Sequence, residues 1–471
     1  MSNAFVSAIN APTVPNTTTT NGMPAFTKAG NALVDLFYNI GSSRNNPDAA
    51  VRQFISAFVE DRLLATKIAF WARDIRGGAG EREVFRKILA YLSKTNPDVV
   101  RKNLHLVPEF GRWDDLFVIE KDTVARKEAM EMFAVAIQNG NGLACKWAPR
   151  KGADAVELRN TLGMTPKQYR KTIVNGSNTV EQLMCAKDWS NIEFDKLPSV
   201  ASARYQKAFG RNAQERYAAY INSLQKGEVK INAGAVYPYD IVKSMNYGNR
   251  AVAIEQWKAL PNYMGDAKIL AMVDVSGSMC CPAGRKMGTV TCLEVALSLG
   301  LYCADKLTGA FKDTFLTFSG SPELLHLKGD IGQKMDQMAR SKWGMNTDMP
   351  KAFAHILNHA VRNKVPQEDM PDTVVILSDM QFDSCVNYGG SAMNTIRKQY
   401  EAAGYSVPNV VFWNINASYG NSPVTVNDQG VALVSGFSPA LFKQILAAKD
   451  FSPLAIMMDV IGQDRYARVV A

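Results

Sequence analysis

The chain is poor in the residues that most catalytic signatures need. Histidine occurs four times in 471 residues, and the pair His355 and His359 has Ile356 where a zinc-protease helix requires glutamate. The run Gly77-Gly-Ala-Gly80 is not part of a Gly-x-x-x-x-Gly-Lys-[Ser/Thr] motif, which excludes an NTP-binding P-loop. Ser278 stands beside glycine but outside a Gly-x-Ser-x-Gly elbow, and nothing points to a Ser-His-Asp triad. The seven cysteines (145, 185, 280, 281, 292, 303 and 385) form no Cys-x-x-Cys pair and are odd in number. That usage fits a reducing compartment, the cytoplasm, better than a disulfide framework. No apolar run is long enough to span a bilayer, and no basic stretch precedes an apolar one at the N-terminus. Neither a membrane partner nor export is expected. The first 25 residues carry no charged side chain; with Pro12, Pro15 and four threonines at 17–20 they read as a flexible tail.

What is present is a globular composition, 47% hydrophobic and 21% charged, in a chain long enough for two or three domains. The net charge of +9 is unevenly placed. Residues 26–263 hold 35 Lys and Arg against 25 Asp and Glu, whereas 264–471 hold 18 against 19. The basic half favours a polyanion, nucleic acid first, or is an ordinary basic helical domain. Its apolar residues recur at helical spacing: Leu33, Val34, Phe37 and Tyr38, then Val51, Phe54, Ile55 and Phe58, then Val84, Phe85, Ile88, Leu89 and Leu92. Short Gly and Pro turns separate these segments, which predicts an α-helical repeat array over 26–263. Arg73, Arg76, Arg82, Arg86 and Lys87 cluster around Gly77-Gly-Ala-Gly80, where backbone amides and a helix N-terminus suit a phosphate. A tight inter-helix turn flanked by solvated charge is the competing reading. Arg112-Trp113-Asp114-Asp115 offers a stacking ring beside a cation, but the pattern favours a core tryptophan with the carboxylates capping the helix that follows.

From about 264 the texture changes to alternating strands and helices, with strands expected at 269–273, 314–318, 374–377, 409–414 and 430–435. This is the pattern of a doubly wound α/β domain with a mostly parallel sheet, whose ligands sit beyond the carboxyl ends of the strands. The first strand runs into Asp274-Val-Ser-Gly-Ser278, so the oxygens of Asp274, Ser276 and Ser278 leave it within reach of one point. Thr347, in a loop before a helical pattern, and Asp379, ending another buried strand, complete the shell. Hard oxygens of this kind suit Mg²⁺, with Mn²⁺ as its substitute.

These five positions resemble the metal-ion-dependent adhesion site of von Willebrand factor A (vWA) domains. The resemblance implies that Ser276, Ser278 and Thr347 bind the metal directly and that Asp274 and Asp379 do so largely through water. A helical-repeat half joined to a vWA half, with the phrases Arg73-Asp-Ile-Arg-Gly-Gly-Ala-Gly-Glu-Arg82, Pro108-Glu-Phe-Gly-Arg-Trp-Asp-Asp-Leu-Phe117 and Ser378-Asp-Met-Gln-Phe-Asp383, resembles the TROVE-module ribonucleoproteins of the Ro type. It is more similar still to an uncharacterised TROVE-like branch. The resemblance spans roughly 30–471. It implies a HEAT-like helical domain closed into a ring, structured or single-stranded RNA as ligand, and a Rossmann-like vWA domain, here 264–471.

The function read from these signals is non-enzymatic. A basic helical domain would bind RNA, with Arg73, Arg76, Arg82, Arg86, Lys87, Arg112 and Trp113 as candidates, and the vWA domain would hold Mg²⁺ to receive a partner's acidic side chain. The alternative is a protein assembly scaffold that uses the metal site without RNA. A metal-assisted hydrolase would need a base beside Asp379, for which Asp383 is the nearby candidate.

Overall fold

A computed structural model describes residues 14–234, 236–247, 250–283, 290–318, 321–341, 347–383, 392–416 and 420–471. Cys385 and residues 1–13 of the expected tail lie outside these. The chain divides into two compact units. One comprises Met1–Ile68, Tyr237–Lys243 and Pro261–Gln463; the other comprises Ala69–Val236, Ser244–Leu260 and Asp464–Ala471. The expected boundary at 263/264 divides the chain differently, because about 55 described N-terminal residues pack with the sheet rather than with the helices that follow them.

The sheet unit is built on six strands in the order β5-β4-β3-β6-β7-β8. They are β3 (Ile269–Asp274), β4 (Thr314–Phe318), β5 (Leu324–His326), β6 (Thr373–Ser378), β7 (Asn409–Asn414) and β8 (Val431–Ser435). All neighbours are parallel except β4 and β5. Every residue of β3 and β6 is buried, as expected of central strands covered on both faces. Helix Cys292–Lys306 lies close on β3: a Cβ on Gly300 would stand 2.4 Å from Val273 Cγ2, so only glycine permits this approach. The short antiparallel β5 is not among the strands that the sequence predicts.

Residues 14–25 form no free tail. The two-residue strands β1 (Thr17–Thr18) and β2 (Pro24–Ala25) pair with each other, and Thr19, Met23 and Ala25 are buried. Backbone and side-chain hydrogen bonds hold the turn against the segment after β6: Thr20 N–H donates to Gln381 Oε1 at 2.8 Å, and Asn21 Nδ2 to the Gln381 carbonyl at 2.7 Å. An uncharged run rich in threonine has hydroxyl and amide groups enough to satisfy such a loop, and composition alone does not separate that from disorder.

Helix Ala32–Ile40 is apolar on most of its circumference and so needs cover on more than one side. It lies on β8, where Ser435 Oγ donates to the Phe37 carbonyl at 3.1 Å and accepts from Gly41 N–H at 3.0 Å. Asp35 on this helix accepts Ala29 N–H at 2.7 Å, yet burial outweighs that bond and pushes its carboxyl up to about 6. The folded chain then keeps a proton that the unfolded chain releases near pH ~4. Stability should therefore fall as pH rises from about 4 to about 6. Asp35→Asn keeps an acceptor for Ala29 and is expected to flatten that part of a urea-midpoint profile; an unaltered slope would acquit Asp35.

The second unit contains helices and no strand among the described residues. Its helices include Arg82–Thr95, Val124–Gln138, Ala153–Thr161, Pro166–Ser177, Ser199–Asn212 and Gln214–Gln225. Phe194, Phe209, Tyr217, Leu224, Ile231 and Val252 form one buried cluster. No helix among the described residues is long and apolar enough to cross a membrane. The fold class is thus a helical array plus a doubly wound α/β domain.

Candidate metal centre

Parallel pairing of β3 with β6 in the register Val273↔Leu377 sets the carboxyl ends of the two strands side by side. Asp274 accordingly meets Ser378, whose Oγ donates to Asp274 Oδ2 at 2.6 Å, while Ser276 N–H donates to Oδ1 at 2.9 Å. Ser276 Oγ and Ser278 Oγ lie 3.0 Å apart, and Ser278 stands near enough to Asp379 to favour the charged form of its carboxyl. Asp379 Oδ1 accepts Gln381 N–H at 3.2 Å. The third segment is tied in by Thr347, whose Oγ1 donates to the Gln381 carbonyl at 2.9 Å and whose N–H donates to the Asp383 carboxylate. Asp383 N–H returns a bond to the Thr347 carbonyl at 3.0 Å. The five residues singled out from the sequence thus come from three loops that the sheet and a chain of hydrogen bonds bring together.

The electrostatics of this network are unusual. Asp274, Thr347 and Asp379 are buried, and among the described residues neither aspartate has an ion-pair partner. Burial, then the neighbouring Asp379, pushes the Asp274 carboxyl up to about 7. Burial pushes Asp379 up as well. Two carboxylates out of water without a counter-charge cost free energy unless a proton or a cation joins them. With three hydroxyls in the same network, the donor set is all hard oxygen and fits Mg²⁺ or Mn²⁺. Among the described residues no group of three or more His, Cys, Asp or Glu is placed to hold a metal ion, so a cation here would rest on two carboxylates and the hydroxyls around them.

Sequence reasoning did not single out Ser378, Gln381 or the Cys281–Asn416 contact (Asn416 Nδ2 to Cys281 Sγ, 3.3 Å). Ser378 was visible only as part of a phrase, since its partner Asp274 lies 104 positions away. Asp383, read as the base a hydrolase would need, spends its carboxylate on Thr347 N–H.

The candidate RNA contacts are placed otherwise. Arg73 is buried and donates from Nε to Asp115 Oδ2 at 2.7 Å. Arg86 donates to Asp115 Oδ1 at 2.7 Å and to Asp114 at 2.9 Å. Arg112 binds Asp114 and stacks 3.8 Å above the Trp147 ring, and Trp113 packs on Phe133 with centroids 5.0 Å apart. These four hold helices together; a planar guanidinium and an indole serve internal packing as readily as RNA. The glycine run is the tight turn: Gly78 and Gly80 N–H both donate to the Asp74 carbonyl at 3.1 Å, and a Cβ on Gly78 would stand 1.9 Å from the Trp71 carbonyl oxygen. Arg76 and Arg82 are exposed, Arg82 beside Glu83 at 3.0 Å, and Lys87 is half-buried.

Other cations of this unit reach solvent. Lys167, Arg170 and Lys171 are exposed at one-turn spacing on helix Pro166–Ser177, and Arg204, Lys207 and Arg211 likewise on Ser199–Asn212. None of the six is in an ion pair among the described residues. Four of them, Arg170, Lys171, Arg204 and Lys207, stand beside Tyr169 and Tyr205 in the sequence, an aromatic-basic interleaving that amphipathic helices also produce by chance.

Comparison with known proteins agrees with a chain of two parts. Residues 19–142 and 149–268 match a family model described as domain of unknown function DUF2828, and 268–464 match domain of unknown function DUF7788. An uncharacterized protein, L728, of Acanthamoeba polyphaga mimivirus is 31% identical over 505 residues, covering 94% of this chain and 86% of that one. The crystal structure of the Deinococcus radiodurans RO (RSR) protein is similar over 90% of this chain and 93% of that one, at 16% identity and a TM-score of 0.37, too slight a likeness to bear on function.

Proposed function

The chain belongs to the family described as domain of unknown function DUF2828, and for it we propose a binding role without catalysis, in which a divalent cation in the sheet unit receives a partner's carboxylate and the helical unit holds RNA. The observation that carries the first half is the pair of buried, unneutralised carboxylates Asp274 and Asp379 within a network of serine and threonine hydroxyls. Ser276, Ser278 and Thr347 would hold Mg²⁺, or Mn²⁺, with the two aspartates. When bound, the cation supplies the missing positive charge and a Lewis-acidic point for an acidic side chain. Ser378 and Gln381 would orient Asp274, Asp379 and Thr347 through the bonds described above, as outer groups do around other metals.

The RNA half is supported by the basic excess of 26–263 and by the two solvent-facing cationic helix faces. Phosphate contacts of this sort make affinity fall steeply with salt. Changing Lys167, Arg170 and Lys171 together to glutamate is expected to lower affinity for a single-stranded RNA at least tenfold. The slope of log K against log salt should become shallower by about 2. Filter binding at several salt concentrations measures both, and an unchanged slope would remove this face from the proposal.

A scaffold reading without RNA draws on one observation, the commitment of Arg73, Arg86 and Arg112 to internal carboxylates. Purified protein free of ribonuclease-sensitive absorbance near 260 nm, and blind to added RNA, would select it.

A further inference from the structure

Cys281 and Cys292 face each other across a short antiparallel contact at the rim of the cation network. Pro282 bridges Thr291; on either side Cys292 N–H donates to the Cys281 carbonyl at 3.0 Å and Ala283 N–H to the Val290 carbonyl at 2.9 Å. That register sets the two cysteines opposite one another, with Sγ atoms 3.5 Å apart. Both are free thiols; Cys281 is half-buried and Cys292 buried. A disulfide needs its sulfurs at about 2.05 Å and its Cβ atoms about 3.5–4.5 Å apart. Directly opposed residues of an antiparallel pair have Cβ atoms about 4.5–5.5 Å apart, so side-chain rotation and a small backbone adjustment close the gap. Asn416 Nδ2, donating to Cys281 Sγ at 3.3 Å, holds that sulfur on the side of its partner.

We propose that Cys281 and Cys292 are a reversible dithiol–disulfide pair that exchanges with small-molecule disulfides of the glutathione type. Cys281, the more accessible of the two, attacks one sulfur of the disulfide as its thiolate and expels one small thiolate, leaving a mixed disulfide. Cys292 then attacks Cys281 Sγ as its thiolate and expels the second. Two electrons and two protons pass from the protein pair to the small disulfide, which leaves as two thiols. The new bond ties the exit of the Ser276–Ser278 loop to the first residue of helix Cys292–Lys306. The redox state of the pair therefore sets how freely that loop moves. The crosslink itself does not depend on the cation reading.

The test uses the full chain equilibrated with oxidised glutathione, then alkylated, digested and mapped by mass spectrometry. The expected product is a Cys281–Cys292 linked peptide, formed equally in Cys280→Ser and reversed by dithiothreitol. Closing so short a loop should raise the unfolding temperature by about 5 °C. It should also slow amide exchange over 276–281. Cys292→Ser should stop at glutathione on Cys281, with no rise. A wild-type map that joins Cys280 to Cys292, leaves glutathione on Cys281, or shows both thiols unreacted would overturn the proposal, whatever the variants do.

Discussion

Asp274→Asn is expected to abolish the response of the protein to Mg²⁺ and to make the cation-free protein more stable at pH 8. Both effects come from the same buried charge. In wild-type protein held in chelator, the Asp274 carboxyl is pushed up to about 7, by burial first and by Asp379 second, against ~3.9 when unfolded. Between those values the folded state binds more protons than the unfolded state. Stability must then fall as pH rises from about 4 to about 7 and level off above. Asparagine keeps an acceptor for Ser276 N–H and carries no charge to desolvate, so the decline should shrink. With Mg²⁺ present the order reverses: wild type gains stability by mass action, and the variant, lacking one of two carboxylates, should bind at least a hundredfold more weakly. Thermal unfolding across pH with and without Mg²⁺, and titration calorimetry, read these outcomes. A wild type indifferent to Mg²⁺ would remove the metal centre. Loss of RNA affinity in a folded Asp274→Asn chain would break the division of labour between the units.

Asp115→Ala should cost about 3–5 kcal/mol, the range for stripping one partner from a buried ion pair. Asp115 is fully buried and accepts Arg73 Nε and Arg86 Nε at 2.7 Å and Arg112 N–H at 3.0 Å. Without it the buried Arg73 guanidinium has lost the carboxylate facing it. Arg86 keeps Asp114 at 2.9 Å and about a fifth of its surface in water, so it suffers less. Replacing both members, Arg73→Met with Asp115→Leu, removes the charge and its partner together and should cost less than Asp115→Ala alone. Urea denaturation of the three proteins decides this; a double variant as unstable as Asp115→Ala would mean that the geometry, not the stranded charge, is what matters. The same reasoning predicts that Arg73→Ala lowers RNA binding through unfolding. Arg73 is thus a poor probe of contact, and Lys167, Arg170 and Lys171 are the better ones.

Much of the architecture was legible because it depends on local pattern. The strands at 314–318 and 409–414 were read to the residue, since apolar runs bounded by polar turns have one reading in an α/β context. The three-residue β5 was not, because Leu324, Leu325 and His326 pair with β4 at an exposed edge and carry no periodic signal. The threonine-rich N-terminus was misread for the opposite reason: its order comes from bonds to Gln381 and Phe382, some 360 positions away.

The cluster of oxygens at the carboxyl ends of β3 and β6 and the arginine cluster show where the limit lies. Asp274, Ser276 and Ser278 sit two apart on the exit of one strand, so the chain alone already brings their oxygens near one another. Whether Arg73 and Arg112 faced solvent or each other's helices depended on where Asp115 and Trp147 came to rest. Residue type states what a side chain is able to bind. Burial states what it has already bound, and burial is a property of the folded core.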